Sequence, residues 1–62
     1  SAYGYYLEAL VLLGSITGKD PRALGRDEKA AGELGLSPDV AVKLQEIAAR
    51  QLNAEACDTP FD

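Results

Sequence analysis

The chain has 62 residues, 47% hydrophobic and 26% charged, with ten acidic and six basic side chains and a formal net charge of −4. This balance is typical of a globular protein and excludes an intrinsically disordered chain. The length allows a single domain, residues 1–62 with 57–62 as a short tail, and the acidic charge disfavours nucleic acid and anionic membrane surfaces as partners.

The first predicted element is a helix from about Tyr3 to Ser15 that carries many apolar residues and one charge, Glu8. It is too short to cross a bilayer, which needs about 20 residues. A helix that is apolar on nearly all sides must be covered on nearly all sides, and so short a chain rarely supplies that cover. We therefore expect a homodimer or a larger protein partner, the alternative being a core helix wrapped by the chain's own segments. The predicted interface residues are Tyr5, Leu7, Val11 and Leu12.

Two short helical segments are predicted next. Asp20 followed by Pro21 is a helix-start signal, and Gly25 would end that turn. A second helix is expected over residues 27–34, where Gly32 costs about 1 kcal/mol relative to alanine and so indicates packing or close approach of another backbone. We interpret three carboxylates of this helix as an acidic surface for a basic partner: Asp27, Glu28 and Glu33.

The third helix should begin after Ser37, which can cap it, and run to about Ala54 or Ala56. On its solvated side Glu46 precedes Arg50 by four residues, the spacing of a surface ion pair. Its apolar stripe, which we expect to pack antiparallel against Leu10, Leu13 and Ile16, consists of Val40, Leu44, Ile47, Ala48 and Leu52. The predicted fold is all-α, a small helical hairpin or three-helix unit with two main antiparallel helices completed by oligomerisation.

The side chains indicate no catalytic centre. The chain has no histidine and one cysteine, Cys57, so the usual proton shuttle and the ligands of a structural zinc site are missing. We expect no enzyme activity, no cofactor, no metal and no small-molecule substrate. A lone cysteine also favours a cytoplasmic location; Cys57 itself is either an inert residue at a helix end or an intermolecular disulfide partner.

The segment from Glu28 to Val40 is similar to a helix-turn-helix motif. In that resemblance Ala31 is the small residue facing the second helix, Gly35 makes the turn and Ser37 starts the recognition helix, while the inward position falls on Ala41 instead of a branched residue. The resemblance implies a DNA-binding regulator. However, DNA readers need basic or amide side chains, and the surface that would enter the groove carries two acids and one base. That surface is Ser37, Pro38, Asp39, Val42, Lys43 and Glu46.

Three functional hypotheses follow from these patterns. The first is a non-enzymatic interaction or regulatory module, such as a small inhibitor, adaptor or accessory subunit, that uses the apolar first helix and the acidic surface. The second is a small helix-turn-helix transcription regulator, and the third is an accessory subunit of a larger enzyme complex. Phe61 in the tail is either a docking anchor or part of a fraying chain end.

Overall fold

The computed structural model describes residues 1–55 and Phe61, and it confirms the all-α fold. Three α-helices, α1 (Ala2–Thr17), α2 (Lys29–Glu33) and α3 (Pro38–Glu55), are joined in chain order, with a 3₁₀ helix at Pro21–Leu24 between the first two. The described residues contain no strand. None of their helices combines the length and the apolar character needed to cross a membrane.

Helix α1 is longer than predicted because both of its ends are capped. The Ser1 hydroxyl accepts a hydrogen bond from the Gly4 amide at 3.2 Å, which satisfies one free donor of the first turn. At the other end Gly18 takes a left-handed conformation (φ 72°), and its N–H donates to the Gly14 carbonyl at 2.9 Å. That is the common αL termination of a helix, which glycine adopts without steric cost.

The connection between α1 and α3 contains both short segments that the sequence predicts. The Asp20 carboxylate caps the 3₁₀ helix by accepting from the Arg22 amide at 2.9 Å. Helix α2 is shorter than the predicted range 27–34, because Glu28 is its N-cap and not a residue of its first turn. It ends in a Schellman motif around Gly35 (φ 79°), in which the Leu36 amide donates to the Ala31 carbonyl at 2.9 Å.

Helix α3 begins at Pro38, with the Ser37 hydroxyl accepting from the Val40 amide at 3.3 Å, and runs close to the predicted length. Its buried face differs from the predicted stripe. Ile47 is 41% exposed, and Val40 and Leu44 are only partly buried. The buried face is instead Ala41, Gln45, Ala48, Ala49 and Leu52.

Small residues explain this shift of the packed face. Ala41 and Ala48 have no exposed surface, so the backbone of α3 lies close to its neighbours at those positions, where larger side chains would hold it away. Leu44 packs against the edge of the same cluster. The predicted ion pair between Glu46 and Arg50 is also absent from the described part of the chain. Sequence periodicity therefore located the helix correctly, but the predicted buried face is rotated by about one residue from the observed one.

The prediction that α1 and α3 pack antiparallel is wrong in direction. Tyr6, near the start of α1, contacts Gln45, whereas Gly14, near its end, lies against Leu52. Residue numbers therefore rise together along the contact, which means that the two helices run in the same direction. Short loops favour antiparallel neighbours, but the connection over residues 18–37 is long enough to return the chain to the other end of α1.

Hydrogen bonds and an ion pair of the connection trace this return along α3. Arg22 donates to the backbone carbonyl of Phe61, beyond the end of α3. The Gly25 carbonyl accepts at 2.8 Å from the side-chain amide of Gln45, in the middle of α3. Arg26 then pairs with Asp39 at the start of α3, at 2.6 Å. The connection thus forms a third layer beside α3. Cys57 and most of the predicted tail, including Pro60, lie outside the described residues.

The core is small and lies where α1, α2 and α3 meet. Its buried members are Tyr6, Leu10, Ala31, Ala41 and Ala48, with Leu7, Val11, Leu36 and Leu44 packed against its edge. Two of the three residues of α1 predicted to face α3, Leu13 and Ile16, are exposed instead, at 52% and 74%. Gly14 takes the place of a large side chain in the contact, because it allows α3 to approach the backbone of α1.

Candidate functional site

Helix α1 is apolar on two opposite faces, of which the chain covers only one. Tyr6, Leu10 and Gly14 are buried at the spacing i, i+4, i+8. At 100° per residue, the positions on the far side of the helix are exposed, and they are apolar as well. We call this exposed set the outer stripe; it consists of Tyr5, Ala9, Leu12 and Ile16.

The outer stripe repeats at intervals of four, three and four residues, which is the spacing of a coiled-coil seam. Tyr5 and Ile16 are each 74% exposed and Leu12 is 62% exposed, so these side chains have little cover from the rest of the chain. Leu13 extends the apolar surface at one side, and the nearest charge on α1 is Glu8. An uninterrupted apolar face of this kind is typical of a binding surface.

The four predicted interface residues divide between the two sides of α1. Tyr5 and Leu12 belong to the outer stripe. Leu7 and Val11 are partly buried and pack against the core, because their positions on the helical wheel adjoin those of Leu10 and Gly14. Sequence reasoning missed Ile16 and Ala9. The interval of four, three and four residues was the signal that could have grouped them with Tyr5 and Leu12.

A buried polar network fixes α1 against the rest of the molecule. The Gln45 side-chain amide, which is almost fully buried, donates to the Tyr6 hydroxyl at 3.1 Å and to the Gly25 carbonyl at 2.8 Å. The Glu28 carboxylate lies near the Tyr6 hydroxyl and affects its pKa. Burial raises the pKa of Tyr6 above its ordinary value; the Gln45 bond lowers it and the neighbouring carboxylate raises it further. The network links three segments and orients the outer stripe toward solvent.

Of the three carboxylates in the predicted acidic surface, Glu28 has a structural role instead. Asp27 and Glu33 are exposed, but the Glu28 carboxylate accepts from the Ala30 and Ala31 amides at 2.8 and 3.3 Å and so serves as a helix cap. Burial raises the pKa of Glu28, yet donation from these amides and the neighbouring Tyr6 hydroxyl together outweigh it, and the pKa lies below its ordinary value. Only Asp27 and Glu33 therefore remain available to a basic partner.

The helix-turn-helix-like segment has several features of that motif. Ala31 is buried, Gly35 makes the turn with a positive φ, and Ala41 fills the inward position without any exposed surface. However, α2 has only five residues, and Asp39 and Glu46 are exposed on the surface that would face a DNA groove. The segment therefore shares two buried small residues and a glycine turn with the motif, but it has a shorter first helix and an unfavourable charge for DNA.

Among residues 1–55 and Phe61, no group of three or more histidine, cysteine or acidic side chains is arranged to hold a metal ion. The chain matches no protein-family model, no curated protein and no solved structure. Function must therefore be inferred from its surfaces.

Proposed function

We propose that this protein is a non-enzymatic interaction module that forms a homodimer through the outer stripe of α1. The observation that carries the proposal is the exposure of Tyr5, Leu12 and Ile16 on one side of a helix whose other side is already buried. A second copy of the chain supplies the same surface, so pairing related by a two-fold axis would cover both stripes at once.

The chemistry of the outer stripe favours a second copy over a charged partner. None of its members is charged, and Ala9 lies between the larger side chains, where it permits close approach of a facing helix. Tyr5 places an amphipathic ring at one end of the stripe, a position typical of the rim of an interface.

The strength of this dimer should be modest. Burying a large apolar side chain contributes about 1.5–3 kcal/mol, and each copy offers three such residues in the outer stripe. Association costs roughly 4–15 kcal/mol in lost translational and rotational freedom, which offsets much of this gain. The copies also repel each other, since each has a net charge of −4. We expect a reversible dimer, as suits a regulatory module.

The substitution Leu12→Glu tests the interface. It should shift the protein toward the monomer by at least about tenfold in dissociation constant, since a charge would be buried in the seam. The control is Leu34→Glu, which makes the same change at an exposed leucine outside α1, at the end of α2, and should leave assembly unchanged. Sedimentation equilibrium over a concentration series measures both, and circular dichroism verifies that helicity is retained.

Two results would contradict homodimerisation. One is a well-behaved 6.6 kDa monomer at high micromolar concentration. The other is an equal effect of the Leu12 and Leu34 substitutions on assembly. In the first case, co-purification with a larger chain that Leu12→Glu abolishes would assign the outer stripe to a protein partner, as an adaptor, inhibitor or accessory enzyme subunit requires.

The reduced acidic surface supplies a second contact in this proposal. Asp27 and Glu33 would attract a basic partner, and charge reversal at these two residues should weaken capture without affecting the fold. Glu28 is left unchanged in this test because it caps α2. We further propose a cytoplasmic location on the basis of the single cysteine.

A DNA-binding regulator is the second candidate, favoured by the buried Ala31 and Ala41 and by the turn at Gly35. Its test is a titration with duplex DNA at several salt concentrations. Affinity that falls steeply with salt would support it, since phosphate contacts release counterions. The absence of binding at low salt would eliminate it.

A further inference from the structure

All three arginines of the chain line one concavity, whereas the three lysines do not. The concavity has a volume of about 400 Å³ and lies between the connection and α3. None of its lining residues belongs to α1, so it is separate from the outer stripe. We call it the arginine cleft; it is lined by Arg22, Gly25, Arg26, Val42, Gln45, Glu46 and Arg50.

Arg22 is a fixed part of the cleft wall. Its Nε donates to both carboxylate oxygens of Asp20 at 3.0 Å, and its Nη2 donates to Oδ2 at 2.7 Å. This contact holds the guanidinium and lowers the pKa of Asp20; burial opposes the shift, and the backbone bond adds to it. Arg22 also donates to the Phe61 carbonyl, so its role in the cleft is to shape the wall.

The other two arginines have donors available for a ligand. Arg26 donates through Nη1 alone to Asp39, and the two side chains are 62% and 83% exposed. Exposed pairs of this kind contribute little free energy, so an incoming anion can displace the Asp39 carboxylate. Arg50 has no ion pair and no hydrogen bond within the described part of the chain.

We propose that the arginine cleft binds a small molecule through a phosphoryl group, with Arg26 and Arg50 as the two charged ligands. Guanidinium groups donate pairs of N–H bonds to phosphate oxygens, and a phosphoryl dianion matches the charge of two arginines. A single carboxylate would satisfy only one of them. The volume lies at the lower end of the range of small-molecule sites, about 300–1,000 Å³.

The remaining side chains around the cleft define the expected selectivity. Asp20 balances the charge of Arg22, so the ligand interacts chiefly with Arg26 and Arg50. Glu46 lines the cleft as well and opposes an anion by like-charge repulsion. Removing the charge of Glu46 should therefore strengthen binding, and removing the charge of Arg26 or Arg50 should weaken it.

The test is a titration of the full chain with pyrophosphate at low salt. Amide chemical shifts in NMR spectra monitor binding. Wild-type protein should show saturable shifts at cleft residues. Arg26→Gln and Arg50→Gln should each weaken binding about tenfold, whereas Glu46→Gln should tighten it. The matched control is Lys43→Gln, which removes one positive charge from an exposed position of α3 outside the cleft and should change affinity by less than about twofold.

Several outcomes would overturn the proposal. No saturable shift with millimolar pyrophosphate would exclude the site. Equal weakening by Lys43→Gln and Arg50→Gln would show diffuse attraction to the protein's surface in place of a site. Citrate that binds as tightly as pyrophosphate would overturn the assignment to a phosphoryl group in favour of carboxylates. The stripe variant Leu12→Glu should retain binding, so this test is independent of the proposed dimer.

Discussion

Gln45 is the only polar residue in the buried face of α3, and its amide organises the contact between α1 and the connection. A buried amide without partners would cost about 1–3 kcal/mol, so its two hydrogen bonds stabilise this contact. They also specify which residues meet, since only Tyr6 and the Gly25 carbonyl satisfy them. Helical periodicity alone does not indicate that the glutamine at this position is buried.

Tyr6→Phe tests this network. Removing the hydroxyl deprives the Gln45 side-chain amide of one acceptor, and we expect a loss of about 1–3 kcal/mol in the free energy of unfolding. Tyr5→Phe is the matched control, because Tyr5 is exposed on the same helix, and it should change stability by less than about 0.5 kcal/mol. Urea denaturation followed by circular dichroism measures both. Equal effects would show that the network contributes nothing specific.

Gly14 in α1 and Gly32 in α2 show how one residue type serves different purposes in different elements. Gly14 lies where α1 meets α3 and the 3₁₀ helix: a Cβ atom there would be 2.5 Å from Leu52 Cδ1 and 3.3 Å from the Lys19 carbonyl oxygen. At Gly32 in α2, a Cβ atom would have no neighbour within 4 Å. Of the two alternatives predicted for Gly32, close approach of another backbone is therefore excluded, while packing of α2 through the buried Ala31 remains. Close approach occurs at Gly14.

Substitution by alanine should lower the free energy of unfolding at Gly14 and raise it at Gly32. Helix propensity favours alanine over glycine by about 1 kcal/mol, which Gly32→Ala should gain in large part. At Gly14 overpacking costs about 1–3 kcal/mol and should outweigh that gain, so Gly14→Ala should lower the free energy of unfolding. Thermal and urea denaturation of the two variants provide the measurement. A stabilised Gly14→Ala protein would contradict the close packing of α1 on α3.

The chain as a unit depends on a connection that two carboxylates hold in place. Asp20 caps the 3₁₀ helix and Glu28 caps α2. The pKa of each carboxyl group lies below its ordinary value, which is 3.8 for Asp20 and 4.5 for Glu28. A lowered pKa in the folded state adds stability that is complete above the ordinary value. This stability is lost as the pH falls through the lower, folded-state pKa.

We therefore expect the urea midpoint to fall as the pH decreases below about 4.5, with the connection losing its caps. Glu28→Gln should lower stability at pH 7 and flatten this acid-side slope, because one of the two titrating caps is gone. Glu33→Gln is the control: it removes the same charge from an exposed position of α2, and its profile should run parallel to that of the wild type. Parallel profiles for all three proteins would contradict the capping role.

Local chemistry was sufficient to predict the helices, since caps and turns depend on neighbouring residues. Ser37 before Pro38, Asp20 before Pro21, and the glycines at positions 18, 25 and 35 act over a few residues, and the structure places helix boundaries at or near each of them. The outermost apolar residues of α1 were also partly identified, because Tyr5 and Leu12 occur in the predicted interface. These features could be derived without knowledge of any long-range contact.

The buried faces, the shared direction of α1 and α3, and the arginine cleft depended on contacts between residues distant in sequence. Helix α1 is apolar all round, so its periodicity could not indicate which side faces inward; close approach at Gly14 and the hydrogen bond from Gln45 made that selection. The length of the connection then permitted α3 to run parallel to α1. Arg26 and Arg50 line the same cleft only because the connection returns along α3, which no local pattern encodes.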